Sequence, residues 1–298
     1  MAIGGALRWS GPLYDRAEAP MGYRLRDPRT IADDRRRLVR EQYQRAGIAL
    51  GERKVHRART SCKRARAAIL LIGPRGSDPA LDELLDRTQS LASAVGRRRD
   101  AQVLIRTIER LAMRQRDCDA AAVIARLGLS LWPPGEVDWE CLIDEAGRLA
   151  EMAGRLDPGN SSVWEQAGRG YARARRRAPA SLNAPPEDFH RWRTACKTHW
   201  YQVRIIRPLA PALIGPRSRE LRTLTEWQGK HHDLAMLLDR LEEHRGDVDI
   251  DRMVAAASHR QHRLARKALG LGGRLFSEKR SAFVAALEEL GKGRRRSR

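Results

Sequence analysis

The sequence predicts an all-α protein built from two related helical halves, and three observations carry that reading. No segment combines β-branched enrichment with the period-two alternation of a half-buried strand. Apolar residues recur instead at helical spacing between Gly, Pro and Asp punctuation. The octapeptide HRARTSCK at 56–63 returns as HRWRTACK at 190–197, 134 positions later, with six of eight residues the same.

Residues 1–34 are rich in Gly, Pro and Arg, have little periodicity and read as a loosely docked lead-in. Helix-favouring sequence runs from Thr30 to Ile72, with a break expected near Gly47 or Gly51. GPRGSDP at 73–79 supplies a stop, a turn and a restart at Asp78. Leu81 to Met113 resumes the helical period, with Gly96 as an interruption, and further helices fit 117–131, 138–156 and 161–177. The first half spans 35–178. A Pro-rich link at 179–187 precedes Asp188, which is placed to cap the next helix. The second half, 188–290, holds helices at about 188–207, 217–245, 249–270 and 277–290, and a frayed basic tail, GKGRRRSR, fills 291–298.

A chain of 298 residues with 42% hydrophobic content can bury a sizeable core. Its 58 Lys and Arg against 37 Asp and Glu give a formal charge of +21, which fixes the partner as a polyanion or an anionic surface. Aromatics at 5% are too few for the stacked-base platforms of single-strand nucleic-acid binders. Cys62, Cys118, Cys141 and Cys196 form no C-x-x-C pair, which fits reduced thiols in the cytoplasm. The first residues lack an apolar signal region, and no stretch approaches the roughly 18 apolar residues of a membrane span. The expectation is a soluble cytoplasmic protein with no membrane partner.

A second pair of segments tests the duplication. GRRRDAQVLI at 96–105 matches GKHHDLAMLL at 229–238 at an offset of 133, so two independent matches share nearly one offset. On a helix, His56, Arg59, Lys63 and Arg66 fall within an arc of about 80°, opposite Ala58, Cys62, Ala65, Ile69 and Ile72. His190, Arg193, Lys197 and Arg204 repeat the stripe, with Trp200 standing where Arg66 does and Tyr201 after it. Any single Arg is ordinarily a solubilising surface residue. A duplicated stripe that includes no carboxylate is instead a cationic rail, suited to multidentate anion binding by forked guanidinium donors and ammonium point charges. Two rails facing each other across a pseudo-twofold axis would form a channel whose charges repel until a polyanion enters.

The H-x-x-R-x-x-x-K-x-x-R pattern at 56–66, its second copy and the basic-Asp-apolar segment after each resemble the CHAD domain, the conserved histidine α-helical domain, over roughly 35–290. The resemblance implies two halves of about four long helices each and a basic central channel that binds inorganic polyphosphate without a cofactor. It also implies association with polyphosphate granules. The implied ligand-facing set is His56, Arg59, Lys63, Arg64 and Arg66 in the first half, with His190, Arg193, Lys197 and Arg204 in the second. Arg97, Arg98, Arg99, Lys230, His231 and His232 would extend the lining, and Arg173, Arg177 and Arg263 would add to it from other helices. Thr198, His199 and Trp200 depart from the usual basic run, so the second half would grip fewer phosphates.

Two rival readings have sequence support. HHD at 231–233 is similar to the ligand runs of HD-type metal phosphohydrolases, but its repeat counterpart is RRRD, and Arg99 cannot ligate a metal. Asp100 and Asp233, among cations, are weak bases better suited to orienting a neighbour or capping a helix. A nucleic-acid-binding module would use the same cations, although no helix-turn-helix, zinc-finger or RNP signature is present. Non-catalytic binding, with no metal, is therefore the expectation, tightened toward mildly acidic pH by histidine protonation.

Overall fold

The computed structural model describes residues 22–25, 30–113, 119–129, 137–159 and 161–296, with side chains at 97–99 and 291–296 outside that description. Among the described residues the chain is all helical, with eleven α-helices, one short 3-10 turn and no strand. The helices are α1 (Ile31–Gly51), α2 (Val55–Ile72), α3 (Pro79–Ala94), α4 (Gly96–Ala112), α5 (Ala120–Arg126), α6 (Trp139–Gly154), α7 (Val163–Arg176), α8 (Pro186–Ile206), α9 (Pro211–Glu242), α10 (Val248–Leu275) and α11 (Arg280–Arg296). None is long and apolar enough to cross a membrane.

Local chemistry sets most of the boundaries. After Gly51, Arg53 takes a positive φ of 55°, a conformation that ends α1 before α2 begins. Asp78 accepts from the Ala80 N–H at 2.8 Å and Pro79 occupies the first helical position, so α3 restarts where a cap and a preset φ coincide. Asp119, Asp138, Ser162 and Asp247 cap α5, α6, α7 and α10 in the same way. Asp188 does not cap α8, because Pro185 holds that position; Asp188 lies in the first turn and pairs with Arg191 at 2.5 Å. The basic tail does not fray where the sequence suggested, since α11 continues through Arg296.

Two hydrophobic clusters hold the helices together, and each draws on both halves of the sequence. The larger joins α1, α2, α3, α6, α7 and α8 to parts of α9, α10 and α11 around Tyr43, Leu71, Trp192 and Phe283. The smaller packs Leu104, Ile108 and Leu111 of α4 and Val123 of α5 against Leu237 of α9 and Met253 of α10. Seven helices precede the Pro-rich link and four follow it, so the described helices are not divided evenly. The lead-in is tied down at Tyr23 and Leu25, both buried, the Leu25 N–H donating to the Ile205 carbonyl at 3.1 Å.

Candidate functional site

Helices α2 and α8, which carry the two octapeptides, pack directly against each other. Their apolar sides enter the larger core, where Cys62 and Cys196 occupy matching places. Burial pushes both thiols up to about 12, so neither is reactive. The cationic sides of the two helices also converge, at two places.

The first place surrounds Lys197. Its Nζ lies 4.0 Å from the centre of the Trp200 ring and 5.1 Å from that of Tyr201. Burial, followed by the charges of Arg193, Arg204 and Arg64, lowers its pKa from 10.5 to about 7, against only a small opposing influence from Glu226. Arg64 comes from α2 and the other two from α8. Arg64 and Arg204 both stack on Tyr23, at 5.4 and 5.8 Å, and the Tyr23 hydroxyl donates to the Arg64 carbonyl at 2.8 Å. Arg204 also lies over Trp200 at 5.2 Å. Aromatic faces thus hold the cations by cation–π attraction while the cations repel one another.

The second place joins α2, α8 and α9. His190 and His232 approach with ring centres 4.5 Å apart and Nδ1 atoms 3.3 Å apart. Burial holds the His190 imidazole below its ordinary value, helped by Arg193 and Lys63. Burial also drives His232 down to about 3, reinforced by Arg193, His190, His231 and Lys63. Both histidines are thus held below their ordinary value, His232 far below it, and Lys197 is the group poised near neutrality.

One contact is made in both repeats. The Arg59 guanidinium packs against Gly96, where a β-carbon would lie 2.8 Å from its Nη1, and it donates to the Ala92 carbonyl. Arg193 lies against Gly229, the repeat counterpart of Gly96, at 3.8 Å from the same virtual atom. Glycine in the basic-Asp segment thus leaves room for the arginine of the octapeptide in each copy.

The remaining predicted residues divide. Arg66 donates to Gln89 at 3.1 Å, and burial and then Arg173 of α7 lower its pKa, so these two cations also meet. His56 lies exposed on the first turn of α2, and Arg177, Lys230 and Arg263 are exposed as well. His231 is 6% exposed and stacks on Phe189 at 4.4 Å, away from the paired rings of its neighbour His232; burial takes it down to about 4. HHD therefore does not act as one block. Asp100 and Asp233 lie inside α4 and α9 and cap neither. The side chains of Arg97, Arg98 and Arg99 lie outside the described residues. Among the described residues no three His, Cys, Asp or Glu side chains converge as metal ligands.

Tyr23 is the site residue that sequence reasoning missed. Its only signal was the short alternation of Tyr23 and Leu25 between arginines, in a lead-in whose other apolar residues show no period.

Comparison with known families matches residues 35–242 to the CHAD domain, which takes in α1 from its fifth residue through the end of α9 and leaves α10 and α11 beyond the match. No curated protein and no solved structure matches the chain.

Proposed function

The chain belongs to the CHAD domain family, and from that membership we propose that it binds inorganic polyphosphate, without hydrolysing it, along the cations that α2 and α8 bring together. The observation that carries this reading is Lys197, an ammonium held with three guanidinium groups from two helices and lowered to about 7. Charges crowded this closely destabilise the empty protein, and a chain of phosphates is the kind of ligand that removes the repulsion. Arg59, Arg64, Arg193 and Arg204 supply forked donors, Lys63 and Lys197 supply point charges, and Arg66 with Arg173 continues the row toward α7. In this reading the two halves face each other across a basic cleft about a pseudo-twofold axis. The paired contacts of Arg59 with Gly96 and Arg193 with Gly229 support that arrangement.

Binding releases the counterions that condense on the polyanion, so affinity falls steeply with salt. The discriminating measurement is competition at fixed ionic strength between long-chain polyphosphate and duplex DNA of matched charge. Polyphosphate is expected to win by at least about tenfold, and the combined changes Arg59→Ala, Lys63→Ala, Arg193→Ala and Lys197→Met should abolish that preference. Equal affinity for the two anions would assign the surface to nucleic acid. Consumption of polyphosphate in the presence of a divalent metal would assign it to hydrolysis.

A further inference from the structure

We propose that Lys197 is a carbon dioxide site: its ε-amine adds to carbon dioxide, the arginines gathered around it hold the resulting carbamate, and the modified site no longer takes polyphosphate. The last clause rests on the polyphosphate reading above, whereas the carbamate stands on the chemistry of the cluster.

The arrangement of charge comes first. Arg193 and Arg204 from α8 and Arg64 from α2 bear on the Lys197 ammonium, and Glu226 of α9 is the carboxylate that opposes them. Glu226 is itself engaged by Arg222 at 2.9 Å. The Trp200 ring walls Nζ on one side at 4.0 Å, and the Tyr201 ring lies at 5.1 Å. Tyr23 turns its ring to Arg64 and Arg204, while its hydroxyl donates to the Arg64 carbonyl. An anion at the centre would relieve this repulsion. Of the four cations only the lysine can become one, because a guanidinium stays protonated.

The same surroundings supply the nucleophile. Burial and the three arginines hold the Lys197 amine at about 7 instead of 10.5, so at pH 8 its neutral form is on the order of three hundredfold more populated than in an ordinary lysine. The product selects the electrophile. An aldehyde would give an imine and an acyl donor an amide, neither of them anionic. Carbon dioxide gives a planar, carboxylate-like anion, the shape that forked guanidinium donors recognise. It is also small, uncharged and apolar, which suits an amine half-buried against two buried aromatic rings.

The step balances with carbon dioxide as its one co-reactant. The Nζ lone pair forms the N–C bond, one C–O π pair passes to oxygen, and one N–H proton leaves to water. Nothing is oxidised or reduced, and withdrawing carbon dioxide reverses the addition. A position that offers polyphosphate a positive charge then presents a negative one.

The first octapeptide supplies the contrast. Lys63 matches Lys197, but the residue one turn on is Arg66, a cation in place of the indole. The sequence repeats the lysine without repeating its wall, so the carbamate is assigned to Lys197.

The test equilibrates the full chain with isotope-labelled bicarbonate and carbon dioxide at pH 8 and follows the carbamate carbon by NMR. One carbamate resonance is expected to be lost in Lys197→Arg and retained in Lys63→Met, with circular dichroism checking that both fold. A carbamate of the terminal α-amino group, which ordinarily titrates at about 7.7–8, persists in Lys197→Arg and is thereby told apart. Trapping the carbamate as its ethyl ester, followed by peptide mass mapping, places it on Lys197 in the wild-type chain without any variant. Saturating carbon dioxide at matched pH and ionic strength should weaken polyphosphate binding about tenfold, the order of one lost charge-assisted contact, and excess polyphosphate should erase the Lys197 resonance. Absence of any Lys197 carbamate overturns the inference and leaves the binding function standing. A Lys197 carbamate that leaves polyphosphate affinity unchanged overturns the regulation and removes Lys197 from the binding site. A Lys197 carbamate in a chain that binds no polyphosphate overturns the function proposed above and leaves the carbon dioxide site.

Discussion

Lys63 and Lys197 end the two copies of one octapeptide, yet they occupy different environments. Both lie on helices that carry a cationic stripe over a buried Cys. One turn after Lys63 comes Arg66, whose guanidinium reaches Gln89 and meets Arg173. One turn after Lys197 comes Trp200, whose ring lies under the ammonium. Lys63 thus shares its surroundings with the His190 and His232 pair, whereas Lys197 is taken out of water among three arginines. A repeated sequence fixes where a cation stands on its helix, and burial with the arginines gathered from two crossing helices sets the charge of Lys197.

The largest way to break this comparison is Lys197→Met against Lys63→Met. For Lys197, cation–π attraction contributes about 0.5–2 kcal/mol. The lowering from 10.5 to about 7 reflects burial and repulsion on the order of a few kcal/mol, so the destabilising effects win. The sign with pH follows from proton counting. Between about 7 and 10.5 the unfolded chain holds more protons at this position than the folded one, so wild-type stability rises with pH across that window. Lys197→Met should therefore raise Tm on the order of 5 °C at pH 6, an advantage that shrinks as pH rises toward 10. Lys63 is half-buried beside the two histidines, and Lys63→Met should shift stability by no more than about 1 kcal/mol. Thermal melts at pH 6, 8 and 10 check both, and a stabilising effect equal at all three would rule out titration of Lys197.

A smaller effect sharpens the same contrast in the bound state. A polyphosphate chain beside Lys197 restores its charge, so binding at pH 8 should take up about one proton, and affinity should rise as pH falls from 9 to 7 and then level. Calorimetry in two buffers of different ionisation enthalpy measures the uptake. Lys197→Met should eliminate most of it and Lys63→Met should leave it in place.

The sequence made the helices and their breaks legible because those features are local. Asp78 before Pro79, the interruption at Gly96 and the end of α1 at Gly51 need only capping and backbone chemistry. The stripes were legible for the same reason, since helical spacing alone places His56, Arg59, Lys63 and Arg66 together. What lay outside local reach was the crossing of α2 with α8, which brings Arg64 to Lys197 and Lys63 to His190. Net charge was silent on which arginines serve structure. Arg35 is 3% exposed and donates to the Leu71 carbonyl at 2.9 Å and the Ser161 carbonyl at 3.0 Å, anchoring the end of α2. His231 and His232 were separable in principle, because successive helical residues point about 100° apart. Treating Lys230, His231 and His232 as one basic run hid that His231 belongs to the packed face with Leu234 and Leu237.

The smallest predicted effect compares the two glycines. In Gly96→Ala the new methyl would sit 2.8 Å from Arg59 Nη1, so the guanidinium must swing away from α4 and from the Ala92 carbonyl it contacts. In Gly229→Ala the methyl would meet Arg193 at 3.8 Å, an ordinary contact that displaces nothing. Position 229 lies well inside α9, where replacing Gly by Ala stabilises a helix by about 0.5–1 kcal/mol. Gly229→Ala should therefore raise stability by that amount with polyphosphate affinity unchanged. Gly96→Ala should lower affinity about threefold, the loss of part of one charged hydrogen-bonding contact, with little change in Tm. Parallel melts and binding isotherms separate the outcomes. If the two alanines behave alike in both measurements, the repeat-related arginines do not depend on these glycines for their placement.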